Sequence, residues 1–174
     1  CLNIKADPVI FCTRSNGTLN EYSAMLQQFN YLVANVTAGG KSYLIDATNP
    51  LRPFDLLPFD CLNGSGRQIS EFESKFVELK NSRKTNSFVK LDLSLSGDGI
   101  IEGDFVKKSG GYRALNIREK VKLEGEDGYA DIIKEKYSEA IISRFSLKNL
   151  SQRDSDITEN CTIKLEDGVV KAGD

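Results

Sequence analysis

The chain has 174 residues, 40% of them apolar and 28% charged, with a net charge of −2. That length suits one ordinary domain or two small ones, and the composition is that of a soluble globular chain. The slight acidity argues against the basic face of a nucleic-acid binder, and no apolar run reaches the roughly 20 residues that span a bilayer.

Residues 7–14, Asp-Pro-Val-Ile-Phe-Cys-Thr-Arg, are β-branched and aromatic and stop at the turn signal Ser15-Asn16-Gly17, so they are predicted to form a strand. A polar stretch over 18–28 reads as loop, with one helical turn around Ala24–Gln27. Residues 29–48 predict a hairpin, Phe29 to Thr37 and Ser42 to Thr48, turning on Gly39-Gly40. A glycine-centred register puts Tyr31, Val33, Leu44, Asp46 and Thr48 on one face and Leu32, Ala34, Val36, Tyr43, Ile45 and Ala47 on the other. Both faces are largely apolar and both call for cover, which suggests that a preceding helix belongs against this hairpin. Residues 49–70 are rich in Pro and Gly and predict a long loop anchored by Leu51, Phe54, Leu56, Leu57 and Phe59. A short strand, Phe76 to Leu79, and a polar linker, Asn81 to Asn86, complete a first domain over residues 1–80.

A second domain over residues 86–174 opens with a strand from Phe88 to Leu95. Its alternating Val89, Leu91, Leu93 and Leu95 predict one buried face. Matching Leu95 to Ile101 and Leu91 to Phe105 requires a three-residue loop, Gly97-Asp98-Gly99, with Gly99 left-handed. Two helices are expected next. One runs from Tyr112 to Leu123 with Ala114, Ile117 and Val121 on a stripe. The other is capped by Asp127 and carries Tyr129, Ile132, Ile133, Tyr137 and Ala140. Two strands close the chain, one holding Ile141, Phe145 and Leu147 and the other Cys161, Ile163 and Leu165. The order β-β-α-α-β-β predicts an α+β domain with two helices on an antiparallel sheet.

The sequence contains no histidine, so it offers no imidazole as a base for a Cys or Ser nucleophile or as a metal ligand. Cys1, Cys12, Cys61 and Cys161 form no C-x-x-C pair, which speaks against a zinc site, and their spacing does not decide any disulfide. Cys12, in Val9-Ile10-Phe11-Cys12, reads as a small buried hydrophobe. Gly64-Ser65-Gly66 lacks the context of a phosphate loop, and Glu124 to Gly128 lacks the alternating ligands of a calcium loop. No cofactor or metal is expected. The chain opens at Cys1 without an initiator Met or a signal peptide and reads as a piece of a longer protein.

Four segments carry a family resemblance: Leu2 to Gly17, Gln28-Phe29-Asn30-Tyr31-Leu32-Val33-Ala34, Tyr43-Leu44-Ile45-Asp46-Ala47-Thr48-Asn49-Pro50, and Leu57-Pro58-Phe59-Asp60-Cys61-Leu62-Asn63-Gly64-Ser65-Gly66-Arg67. Together they resemble the C-terminal half of a transglutaminase-like (papain-like) domain, as found in large Bacteroidetes envelope proteins of unknown function. Residues 86–174, with Phe105 and Gly110-Gly111-Tyr112-Arg113-Ala114-Leu115, resemble the accessory domain that follows it in those proteins. The family uses a Cys at the start of a helix, a His on a strand and an Asp on the next strand. The resemblance puts Tyr31 at the base position and Asp46 at the orienting position, and it puts the nucleophile helix before residue 1, with Cys1 at that helix's end. A phenol of pKa about 10 does not take a proton from a thiol near neutral pH. Asp46 is therefore expected to be a hydrogen-bond acceptor for Tyr31, Arg14 or loop amides.

The resemblance implies a non-catalytic fragment that binds or scaffolds in the periplasm or cell envelope. Its expected partners are a protein or glycan and the remainder of its own longer chain. The competing reading is part of a cysteine peptidase or acyl transferase whose nucleophile lies upstream of Cys1 and whose base comes from elsewhere. A structural spacer in an exported protein is the third.

Overall fold

A computed structural model of the chain describes residues 4–20, 22, 25–71 and 73–166. It divides into two compact units, residues 1–84 and 85–174. Both are built on antiparallel sheets, and the chain is α+β.

The first unit is a five-stranded sheet of β1 (Lys5–Phe11), β2 (Tyr31–Ala38), β3 (Lys41–Ile45), β4 (Ser65–Ile69) and β5 (Ser74–Glu78), in the order β3-β2-β1-β4-β5. Gly39 and Gly40, at φ 56° and 75°, make the two-residue turn between β2 and β3. Ala38 pairs with Lys41 and Ala34 with Ile45, the register that a glycine-centred turn predicts. β3 ends at Ile45 rather than Thr48 because Asp46 turns its side chain back onto the backbone of Thr48. The helical turn predicted around Ala24–Gln27 is a 3-10 turn at Leu26–Gln28, and Ala24 itself lies outside the described residues.

One face of this sheet carries the core. Val9 and Phe11 from β1 and Val33 from β2 pack with Leu57, Cys61 and Leu79 from the connecting segments. On the opposite face Leu32, Ile69 and Phe76 remain exposed. The loop predicted over 49–70 contains β4, which polar Ser65, Arg67 and Gln68 hide from any apolar count. Glycine decides this strand, because a Cβ at Gly66 would stand 2.7 Å from Val9 Cγ1. Pairing of β1 with β4 covers only Val9 and Ile10. The residue before them, Pro8, has no N–H to contribute.

The second unit comprises β6 (Ser87–Leu95), β7 (Ile101–Ser109), α1 (Tyr112–Lys136), β8 (Ile141–Lys148) and β9 (Ile157–Leu165), with sheet order β6-β7-β9-β8. Leu95 pairs with Ile101 and Leu91 with Phe105. The loop between them is Gly97-Asp98-Gly99, with Gly99 at φ 82°, and Ser96 and Ile100 close it with a 2.8 Å backbone bond. The two predicted helices follow one another without a loop in the helical stretch Tyr112–Lys136, and they meet at a kink where Gly125 leaves helical geometry (φ 77°, ψ 170°). Asp127 lies two residues past that kink, at the start of the second segment, and Tyr137 is the C-cap. A single glycine takes the break between the two helical segments.

Ala114, Ile117, Val121, Tyr129 and Ile133 of α1 pack on Ile157, Ile142, Phe145 and Leu147. A bulge between Ser143 and Ser146, with Arg144 at φ 51°, switches the parity of β8. Ile142 then faces the helix together with Phe145 and Leu147, and Ile141 is exposed. The face of β6 predicted to be buried is not: all nine of its residues are exposed. Alternation reports that a strand has an apolar face, but not that a helix reaches it.

Candidate functional site

Tyr31 opens β2 and Asp46 follows β3, so the hairpin brings them to one face across its open end. The Tyr31 hydroxyl donates to Asp46 Oδ2 at 3.0 Å. The two residues are diagonal in the register, and the tyrosine ring spans the gap while packing 5.5 Å from the Phe11 ring. Asp46 is the hub. Its Oδ1 accepts from the Thr48 amide at 2.8 Å, and its Oδ2 also accepts from Thr48 Oγ1 at 3.0 Å and from Arg52 Nη1 at 2.6 Å. The Asp46 side chain is only 1% exposed and that of Arg52 11%, so this is a buried ion pair held in a hydrogen-bonded cage.

Arg14, expected as a partner of Asp46, goes elsewhere. It donates to the Leu62 carbonyl at 2.6 Å and lies 4.6 Å over the Phe59 ring. The Thr48 amide is one of the expected loop amides; the partners that sequence reasoning missed are the Thr48 hydroxyl and Arg52. An Asp followed two residues on by Thr is a signature of an Asx turn, which would have found Thr48. Arg52 sits in an irregular loop, where no periodicity assigns a direction.

The electrostatics here hold protons in place. Burial raises the Tyr31 phenol above its ordinary range, the Thr48 hydrogen bond opposes this, and the Asp46 carboxylate adds to it. Cys61, beneath the same hairpin, is pushed up to about 11, first by burial and then by the charges of Asp46 and Asp60, with Arg52 opposing. A thiol so placed stays protonated at neutral pH and is a poor nucleophile. Cys12 and Cys161 are likewise buried and free, and Cys1 lies outside the described residues.

Four residues of the segment Leu57 to Gly64 have a structural account. Leu57 and Cys61 fill the core. Asp60 accepts from Ser15 N at 3.1 Å and Ser15 Oγ at 2.6 Å, and this second bond is the main reason its carboxyl titrates low. Asn63 Nδ2 bridges the carbonyls of Cys12, at 3.0 Å, and Gly17, at 2.7 Å. The segment latches the turn after β1 to the loop beneath the sheet.

Among the described residues, no group of three or more Cys, Asp or Glu side chains is arranged to hold a metal ion, and no helix is long and apolar enough to cross a membrane. Comparison with protein-family profiles, with curated proteins and with solved structures returns no match.

Proposed function

We propose that residues 1–80 are the C-terminal half of a transglutaminase-like domain without a working triad. Together with residues 86–174 as an accessory domain, they would bind or scaffold protein or glycan in an exported periplasmic or cell-envelope protein. The observation that carries this reading is the Tyr31–Asp46 contact of 3.0 Å. The two residues at the family's base and orienter positions meet, but as phenol and carboxylate. The carboxylate also receives Thr48 and the Arg52 guanidinium. A carboxylate so engaged holds a loop in place, and a phenol whose proton is held still more firmly than usual is no general base near neutral pH.

The test is an assay of the purified chain on casein and on a glutamine–amine pair. No turnover is expected, and Tyr31→His alone should bring none, since a base without an activated thiol does no chemistry. Turnover abolished by iodoacetamide would overturn the proposal in favour of a cysteine peptidase or acyl transferase. The binding half is tested by retention of the chain on arrays of glycans and of denatured proteins. Absence of retention on both would leave the spacer reading in its place.

A further inference from the structure

β6 lies at the end of its sheet, with a row of backbone donors and acceptors that no neighbouring strand among the described residues uses. Long edge strands with an apolar face normally carry charged residues, a proline, a bulge or a covering element. Here nine residues run with Lys90 and Asp92 as the only charges and with no proline, bulge or, among the described residues, covering element, and Val89, Leu91, Leu93 and Leu95 are 48%, 52%, 43% and 60% exposed. Beside them an apolar trough of about 210 Å³ runs between β6 and α1, lined by Leu91, Phe105, Ile133, Tyr137 and Ile163 among others.

The two charges in β6 are Lys90 and Asp92, one on each side of Leu91, the middle residue of Ser87–Leu95. That arrangement is self-complementary. In a two-fold antiparallel pairing centred on Leu91, all nine residues of one strand meet all nine of the other. Lys90 then faces Asp92 of a second copy, and Asp92 faces its Lys90. Val89 faces Leu93, and Leu91 faces itself, so the apolar residues stay on one side. A pairing centred on Lys90 sets lysine against lysine, and one centred on Asp92 sets aspartate against aspartate. Any one-residue slip puts leucines opposite polar residues. The register of greatest overlap is thus also the one of best charge matching.

We propose that β6 is a homodimerisation strand. Two copies of the chain join through antiparallel β6–β6 pairing centred on Leu91, making one continuous eight-stranded sheet from two four-stranded ones, satisfying the open backbone edge and setting the two apolar rows side by side. The occupant is a second copy because the charges invert in sign about Leu91, so that an antiparallel copy meets each charge with its opposite.

The test is a charge swap read by sedimentation velocity on the whole chain over a concentration series. The unmodified chain should dimerise. Lys90→Glu and Asp92→Lys should each weaken the dimer by roughly tenfold or more, because each replaces two attractive cross-strand pairs with two repulsive ones. The double variant, Lys90→Glu with Asp92→Lys, should restore it. Its recovery would also show that neither substitution unfolds the chain. A chain that remains monomeric at millimolar concentration would overturn the proposal. So would a dimer indifferent to the single variants, or a double variant no better than the singles.

Discussion

At the scale of single residues, the consequential atom pair is a carboxylate and a guanidinium shielded from water. Removing the Tyr31 hydroxyl deletes one of four bonds to Asp46, so Tyr31→Phe should destabilise the first unit by about 1–3 kcal/mol. Asp46→Ala does more, because it strands the largely buried Arg52 cation, and about 3–5 kcal/mol is expected. Urea unfolding followed by far-UV circular dichroism checks both, and the reverse order of costs would show that the hydroxyl, not the carboxylate, is the anchor. Cys61 gives a pH prediction. Its folded value lies at about 11, above the ordinary 9.0, so between these values the folded chain holds a proton that the unfolded chain has released. Its contribution to stability is therefore complete below about pH 9 and is lost as pH rises towards 11. Cys61→Ala should flatten that decline in a series of unfolding curves, and an unchanged slope would mean the thiol is not responsible. Tyr31 and Asp46 were legible in the sequence because strand parity relates them across a turn of known type. Arg52 was not, because a Pro-flanked loop carries no such rule.

At the scale of elements, turns were read best and coverage worst. The Gly97-Asp98-Gly99 loop follows from insisting that Leu95 and Ile101 share a face, and the pairing obeys it. The two glycines are not equivalent. Gly99 sits at φ 82°, whereas Gly97 has an ordinary φ and open space where a Cβ would go. Gly99→Ala should then cost about 1–2 kcal/mol and Gly97→Ala close to nothing, as paired thermal melts would show. Equal costs would contradict the turn geometry. β4 escaped sequence reading because a glycine and polar residues fill it, and its place depends on contact with Val9 rather than on its own pattern. The burial of β6 was misjudged for the converse reason: its pattern is clear, but the length and position of α1, which decide what lies over it, are not encoded in β6. The Arg144 bulge, which changes which isoleucine faces the helix, left no mark of glycine or proline to read.

At the scale of the whole molecule, the chain holds two separate cores. One gathers Val9, Phe11, Val33, Leu57, Cys61 and Leu79, and the other gathers residues from Ala114 to Ile157. In the second unit a buried Glu159 is satisfied within the unit, by Lys107 at 2.6 Å and Tyr129 at 2.9 Å. Arg118 likewise holds the carbonyls of Leu150, Gln152 and Ser155 locally. Residues 85–174 produced alone should accordingly fold. Their amide spectrum should overlay that of the same residues in the full chain, and a collapsed, poorly dispersed spectrum would refute this. Pro8 has a consequence at this scale too. Among the described residues β1 is flanked on both sides only at Val9 and Ile10; from Lys5 to Pro8 it has β2 alone. An extended segment from a crowded neighbour that tried to anneal there would meet a pyrrolidine ring where a ladder needs a donor. The proline thus withholds one ladder donor from the free half of an inner strand, in a sheet whose outer edges are β3 and β5.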